Sequence, residues 1–216
     1  MDVTQELIFV LQGVPATLAI SIISFLLGLL IGFPLAFIRV YEESLGFIVD
    51  AYEKIFRGIP EIVLMLLFFF GLGLYWPFPF GNAWFTAVLV LGLCSGADQS
   101  QIFRGAIRGV GNEQMSASQS IGLSRWQSVF HVMIPQVFTF STPGLGSEYA
   151  LLVKNSSYVW VIGIIEVMER AIMLKQATYD AATPFVIAAL LYVLLTFPIA
   201  SYLDVWGNRR KKKLGF

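Results

Sequence analysis

A polar stretch at residues 114–136, QMSASQSIGLSRWQSVFHVMIPQ, lies between long apolar runs and decides the fold. Its pattern predicts a short helix over about 113–120, ended by Gly122 in a left-handed conformation. Ser124 is a suitable N-cap for a second helix that starts at Arg125, and Pro135 is expected to break that helix. The 114–136 segment is therefore expected to lie at a surface. The residues alone leave two alternatives open, the groove of a soluble partner and the surface of a lipid bilayer.

The composition of the whole chain is that of an all-α integral membrane protein. Of its 216 residues, 57% are hydrophobic and 13% are charged, and the mean hydropathy is +0.75. A spanning helix needs about 20 apolar residues. No charged residue occurs between Glu6 and Arg39 or between Glu61 and Asp98, so both runs are long enough.

Motifs for enzymatic chemistry are missing from the sequence. It has no GxxxxGK[ST] phosphate loop, no HExxH zinc motif and no GxSxG nucleophile motif. Cys94 is the single cysteine, which excludes an intramolecular disulfide, and no Cys/His cluster has zinc spacing. We therefore expect no catalytic residue, no metal ligand and no cofactor in this chain.

Five membrane spans are predicted from the apolar runs, at about residues 14–38, 52–75, 83–105, 143–165 and 184–205. The prolines and glycine of residues 76–81, WPFPFG, require a turn between the second and third spans. Gly28 and Gly32 give the first span a smooth face for another helix. Residues 1–216 are thus expected to form one transmembrane domain with its termini on opposite sides.

The basic residues predict the orientation. Only Arg170 and Lys175 lie between the fourth and fifth spans; the other side holds Arg39, Lys54, Arg57, Arg104, Arg108, Arg125 and the tail Arg209, Arg210, Lys211, Lys212 and Lys213. Because cytoplasmic loops carry an excess of Lys and Arg, the N-terminus is predicted to be outside and the C-terminus inside. The 114–136 segment is then cytoplasmic. The basic tail is expected to contact anionic membrane lipid rather than nucleic acid.

Four ordered motifs resemble those of polar amino acid ATP-binding cassette importer permeases, the histidine/glutamine/arginine permease family. In the 114–136 segment, Ala117, Gly122 and residues 132–135 (VMIP) are similar to the family's coupling loop, Glu-Ala-Ala, three residues, Gly, nine residues, Ile-x-Leu-Pro. Residues 53–60 (EKIFRGIP) look like its Glu-x-x-Arg-Gly-Thr-Pro segment. Residues 102–107 (IFRGAI) and 152–157 (LVKNSS) are similar to two further family motifs.

The resemblance implies an ATPase-docking surface in the 114–136 segment, with a cytoplasmic coupling loop over about 113–136. Ser116 and Ser118 replace the Glu and the second Ala of the family pattern, which removes a carboxylate, whereas Gly122 and Pro135 are retained. The docking residues are predicted to be Ser116, Ala117, Ser118, Gly122, Leu123, Trp126 and Pro135.

The late span is the predicted substrate path. Lys154 lies about 18 Å along a helix from Glu166, near the middle of the hydrocarbon core, and a charge at that depth usually faces a cavity or a partner. Helical spacing stacks Ser147, Lys154 and Ser157 on one sector and Glu148 and Asn155 on the next. Lys154 could bind the carboxylate of an amino acid and Glu148 its ammonium or a guanidinium. Alternatively, the two charges neutralise each other or bridge a subunit interface.

The resemblance further implies a type I importer permease fold in a prokaryotic inner membrane. Its implied partners are cytoplasmic ATPase subunits, which supply ATP and Mg, a second permease subunit in a homodimer or heterodimer, and an external solute-binding protein. The amino acid carried is not specified by the sequence. A secondary transporter or a channel not coupled to ATP is the alternative, although the chain shows no internal duplication.

Overall fold

The computed structural model describes residues 2–213, without the side chains of Glu43, Asn112, Ala200, Asp204, Asn208 and residues 211–213. Twelve α-helices occur in this part. They are α1 (Val3–Leu11), α2 (Val14–Tyr41), α3 (Gly46–Gly58), α4 (Glu61–Leu66), α5 (Gly73–Tyr75), α6 (Pro77–Phe80), α7 (Ala83–Val110), α8 (Asn112–Ser120), α9 (Arg125–Ser128), α10 (Ile134–Asn155), α11 (Val167–Thr178) and α12 (Thr183–Lys213). The lysines of the predicted lipid-binding tail have their side chains outside the described part.

Helices α2 and α7 pack closely through small residues. A Cβ on Gly32 would lie 2.6 Å from the carbonyl oxygen of Gly96 and 2.8 Å from the backbone nitrogen of Ser100. A Cβ on Gly28 would lie 2.5 Å from Nε2 of Gln99. Such close approach of backbones is typical of small-residue faces on membrane helices. The packing role predicted for Gly28 and Gly32 is confirmed.

Three apolar clusters form the interior around this helix pair. The first cluster contains Leu91 and Leu152, the second contains Phe103 and Val137, and the third contains Val10 and Leu174. The outward faces of the long helices are apolar as well, because Leu30 on α2 and Phe197 on α12 are exposed by 74% and 70%. A chain with apolar side chains both inside and outside is suited to a bilayer.

The helix predicted over residues 52–75 is interrupted near its start. Helix α3 ends at Gly58, Ile59 is extended at φ −104° and ψ 130°, and α4 starts after Pro60. The two helical parts, Gly46–Gly58 and Glu61–Tyr75, meet at 97°. Proline disfavours the helical conformation of the residue before it, so Pro60 accounts for the extended Ile59. From Leu67 to Leu72 the second part is a π-helix.

Pro135 does not break the helix as predicted. Helix α9 continues through a π-helical stretch, Val129–Met133, into α10, where Pro135 occupies the first turn. Proline is tolerated there because its missing N–H is not needed in the first turn, and the wider π-turns just before it change the hydrogen-bond register. The α-helix of the predicted fourth span therefore begins at Ile134 rather than near residue 143. It ends at Asn155 and continues as a 3₁₀-helix, Ser156–Ile162, up to Gly163.

Helix α11 was not predicted from the sequence. Glu166 caps it by accepting hydrogen bonds from the backbone nitrogens of Met168 and Glu169, each at 2.9 Å. The buried Glu166 also accepts a 2.6 Å hydrogen bond from the Tyr192 hydroxyl, which ties α11 to α12. A short polar helix of this kind has neither the length nor the hydropathy of a span.

By length and hydropathy, two helical stretches of the described residues can cross a bilayer, Val3–Tyr41 and Thr183–Gly207. A third qualifies only when α3 and the helix after its 97° bend are taken together. The predicted third span is a longer helix than expected, since α7 extends to Val110. Polar residues, among them Asp98, Gln99 and Arg104, lower the mean hydropathy of α7.

We expect the substitution Gly32→Ala to lower the thermal stability of the detergent-solubilised protein. The added Cβ would clash with backbone atoms of α7, which cannot rotate away, and overpacking of this kind costs about 1–3 kcal/mol. Gly105→Ala on α7 is the matched control, because no atom lies within 4 Å of its added Cβ. Equal melting temperatures for the two variants would contradict the close packing of α2 on α7.

Candidate functional site

The 114–136 segment contains two helices joined by a tight turn. Gly122 has φ +96°, and the N–H groups of Gly122 and Leu123 donate to the carbonyls of Gln119 and Ser118 at 2.9 and 3.2 Å. This is the pattern of a glycine C-cap with two return hydrogen bonds. Ser124 begins the second helix with a capping box shared with Gln127. The predicted turn at Gly122 and N-cap at Ser124 are both confirmed.

Apolar side chains project from this turn. Ile121 and Trp126 are exposed by 81% and 72%, and the Trp126 ring stacks on Phe130 with a 6.2 Å separation of centroids. Of the predicted docking residues, Ser116, Ala117, Gly122, Trp126 and Pro135 are exposed and Leu123 is half-buried. Ser118 is 5% exposed, and its hydroxyl donates to the Met115 carbonyl, so it faces the protein rather than a surface.

A buried carboxylate attaches α3 to α7. Glu53 is 5% exposed and accepts hydrogen bonds from the Ser100 hydroxyl at 2.8 Å and the Gln101 amide at 3.0 Å. Arg104 adds a salt bridge of 2.9 Å. Three polar partners on α7 thus compensate the burial of one charge on α3.

Two further ion pairs lie beside this contact. Nε of Arg57 is 2.7 Å from Oδ1 of Asp98, which ties the end of α3 to the middle of α7. Nε of Arg39 is 2.7 Å from Oδ1 of Asp50, and this hydrogen bond holds the pKa of the Asp50 carboxyl below its usual range. The sequence does not indicate that Arg57 and Asp98 are partners, because they are 41 residues apart.

Two adjoining cavities share Arg57, Asp98 and Gln101 in their walls. The α3 cavity has a volume of about 760 Å³, and the α10 cavity has a volume of about 410 Å³. The other polar residues of the α3 cavity are Asp50, Glu53, Lys54 and Glu61. The α10 cavity is also lined by Ser147 and Glu148. Both volumes lie in the usual range for small-molecule sites.

Glu148 is the most deeply buried acid of the α10 cavity, at 6% exposure. The Ser95 side chain of α7 interacts with its carboxylate, and the amide nitrogen of Gln99 donates to the Ser95 hydroxyl at 2.9 Å. Polar residues of α7 therefore lie against Glu148. The rest of the Glu148 side chain is available to the cavity.

The remaining predicted path residues have other neighbours. Lys154 and Ser157 line a separate cavity of about 480 Å³, the α12 cavity, together with Tyr192 of α12. Asn155 donates a 2.8 Å hydrogen bond to Oε1 of Glu61 at the start of α4. Lys154 and Glu148 thus face different cavities, so the alternative in which they neutralise each other has no support from the geometry.

The predicted path lacks the polar residues of the α3 cavity, which are Asp50, Glu53, Lys54, Arg57, Glu61, Asp98 and Gln101. The sequence signal for Arg57 and Asp98 is that they carry opposite charges, Arg57 just before Pro60 and Asp98 later in the chain, on α7. The helix that carries Glu53 and Arg57 has polar residues at a spacing of four, which indicates one polar face rather than a span.

Sequence comparison identifies the family. A family model described as a binding-protein-dependent transport system inner membrane component matches residues 24–212. The arginine transport system permease protein ArtQ of Bacillus subtilis is 32% identical over 188 residues, covering 87% of this chain and 85% of that protein. The nopaline transport system permease protein NocM of Agrobacterium fabrum is 30% identical, covering 88% and 83%. The putative glutamine transport system permease protein GlnP of Rickettsia typhi is 29% identical, covering 90% and 89%.

Solved structures share the fold. The crystal structure of an amino acid ABC transporter with histidines has a chain that superposes with a TM-score of 0.81 at 26% identity, covering 93% of this chain and 94% of that one. An inward-facing structure of the MetNI methionine ABC transporter superposes with a TM-score of 0.80 at 20% identity, covering 93% and 95%. Since the family model covers most of the chain, the protein belongs to the family of binding-protein-dependent transport system inner membrane components.

Proposed function

We propose that this chain is the permease subunit of an ATP-binding cassette importer that moves a polar or charged amino acid into the cytoplasm. The observation that carries the proposal is the 114–136 segment, in which two capped helices present an exposed turn next to the helix that lines the α10 cavity. Membership of a transport family and relatives named as arginine and glutamine permeases support it. The chain is a transport subunit and not an enzyme.

A separate cytoplasmic ATPase, which holds ATP and Mg, docks on the 114–136 segment. Ser116, Ala117, Gly122, Leu123, Trp126 and Pro135 keep their proposed docking role. Ser118 acts only by shaping the first helix, and Ile121 joins the docking surface because its side chain is exposed beside Gly122. Without the carboxylate of the usual motif, docking depends on shape and on apolar contact with Ile121 and Trp126.

Glu148 and Ser147 form the substrate site in the α10 cavity. Lys154 and Ser157 act at the α12 cavity, where the Lys154 ammonium binds the substrate carboxylate at another stage of transport. Asn155 acts through its hydrogen bond to Glu61. When ATP closes the ATPase dimer, the docking segments move. This movement favours the state in which the cavities open to one side of the membrane over the state in which they open to the other side. The nucleotide must bind the two states with different affinity for such a shift to occur.

The topology proposed is five spans in the inner membrane of a prokaryote, with the N-terminus outside and the C-terminus in the cytoplasm. The distribution of basic residues supports this orientation. A second permease subunit, identical or similar, completes the pathway, an external solute-binding protein delivers the amino acid, and the basic tail contacts membrane lipid.

Uptake of a labelled amino acid tests the proposal as a whole. Proteoliposomes that contain this chain, its ATPase and its solute-binding protein should accumulate the amino acid only when ATP is present on the ATPase side. Proteoliposomes without the ATPase are the control. Equal uptake with and without nucleotide would favour a secondary transporter or a channel.

Gly122→Asp is expected to abolish co-purification of the ATPase without affecting membrane insertion. A side chain at φ +96° strains the backbone by about 1–3 kcal/mol, and the new carboxylate changes the docking surface. Gly163→Asp is the matched control, because Gly163 also has a positive φ of 87° and open space around it but lies outside the 114–136 segment. Equal ATPase recovery from the two variants would show that the segment is not the docking site.

Lys154→Ala is expected to reduce amino acid uptake by roughly tenfold, the effect of losing about 1.4 kcal/mol of substrate binding, without reducing assembly with the ATPase. Lys175→Ala is the control, since Lys175 of α11 is not among the residues that line the α12 cavity, and its ammonium lies 5.8 Å from the centre of the Phe185 ring of α12. Unchanged uptake by the Lys154 variant would assign this lysine to a structural role.

A further inference from the structure

We propose that Glu61 determines the substrate class of this permease and that, with Glu148, it binds the side-chain cation of a basic amino acid. This inference rests on the proposed function as an amino acid importer. It adds a residue outside the family-like motifs, because Glu61 directly follows residues 53–60, and it narrows the substrate from polar amino acids to those with a guanidinium or ammonium side chain.

Glu61 keeps one carboxylate oxygen without a partner. Its Oε1 accepts the 2.8 Å hydrogen bond from Asn155, whereas Oε2 is buried and has no hydrogen-bond partner among the described residues. A buried carboxylate oxygen in this state is costly, and it is retained where a ligand can supply the missing donor. The Asn155 amide fixes the other oxygen, so the free one has a defined position.

A role as a helix cap does not explain Glu61. It occupies the first turn of α4, where a carboxylate interacts favourably with the helix dipole. However, no side chain makes a capping hydrogen bond at this terminus, and Pro60 holds the N-cap position. Oε1 of Glu61 is therefore engaged by Asn155 rather than by the helix backbone, Oε2 is buried without a partner, and the residue lies in the wall of the α3 cavity.

The ion pairs around the cavities leave two acids, Glu61 and Glu148, and one base, Lys54 of the α3 cavity, without a salt bridge among the described residues. Arg39, Arg104 and Arg57 form the salt bridges of Asp50, Glu53 and Asp98, respectively. Glu61 and Glu148 make no salt bridge within the part of the chain that the structure describes.

Glu61 and Glu148 lie in adjoining cavities and are influenced by the same neighbouring charges. Glu61 lines the α3 cavity and Glu148 lines the α10 cavity, and the two cavities share Arg57 and Asp98 in their walls. The negative charges of Asp98 and Glu61 act on Glu148, and the positive charge of Arg57 offsets part of their effect. Two carboxylates that repel each other are stabilised by a cation placed near both of them. Arg57 offsets only part of this repulsion, since it is paired with Asp98, and a neutral side chain would add nothing to it, so the arrangement favours a basic amino acid.

Direct binding of labelled arginine and labelled glutamine to the detergent-solubilised complex of permease and ATPase tests this proposal. The solute-binding protein is omitted so that its own selectivity does not contribute. The wild-type complex should bind arginine more tightly than glutamine. Glu61→Gln, which preserves the size of the side chain and an acceptor for Asn155, should weaken arginine binding by tenfold or more and leave glutamine binding unchanged.

Two further variants make the result specific. Glu61→Asp keeps the charge on a side chain shorter by one methylene and should retain more arginine binding than Glu61→Gln. Glu169→Gln removes a carboxylate on α11, outside the residues that line either cavity, and should bind both amino acids as the wild type does. Recovery of the ATPase with each variant checks assembly.

The possible failures are distinguishable. Arginine affinity that is unchanged in Glu61→Gln, or lost equally in Glu169→Gln, would overturn the role of Glu61. A wild-type complex that binds glutamine as tightly as arginine would overturn the basic substrate and leave amino acid import intact. Failure of the wild-type proteoliposomes to take up any labelled amino acid would overturn the proposed function itself.

Discussion

Polar side chains in a bilayer must find their partners inside the protein, and helix α7 carries most of those that shape this structure. Ser100, Gln101 and Arg104 together bind Glu53, and Asp98 binds Arg57. These contacts hold α3 against α7, and α3 therefore cannot continue in the direction of α4. The bend at Pro60 and the two cavities beside it are consequences of where α7 places its polar groups.

The same helix contacts the residues around the α10 cavity through a different set of interactions. Gly96 permits α2 to approach α7 on one side, and Ser95 and Gln99 connect it to Glu148 of α10 on the other. Close packing and hydrogen bonding thus alternate along α7 within a few residues. An importer needs such a fixed element, because a cavity that changes its accessibility must move relative to something that keeps its shape.

Local sequence signals predicted the 114–136 segment well, whereas long-range contacts limited the rest. Gly122 and Ser124 are sufficient by themselves to specify a C-cap and an N-cap, and the structure has both. The bend after Gly58 was missed because apolar residues follow Pro60 and suggest a continuous span, although the partners of Glu53 and Arg57 lie about 40 to 50 residues away in sequence. Helical spacing placed Glu148 and Lys154 on adjacent sectors of α10, but it cannot say which helix faces each sector. Helix α11 depends on the buried Glu166 and Tyr192, a pair that no local pattern brings together.

The uninterrupted helical path from α9 through the π-helical stretch to α10 has a mechanical consequence. From Arg125 to Asn155 the backbone remains helical, over a length on the order of 45 Å, from the exposed Trp126 to the amide that holds Glu61. A break at Pro135 would have placed a hinge between Trp126 and Asn155. A displacement of Trp126 therefore reaches Asn155 through backbone that remains helical, and the wide turns of Val129–Met133 and the internal Pro143 are the points at which this path can bend.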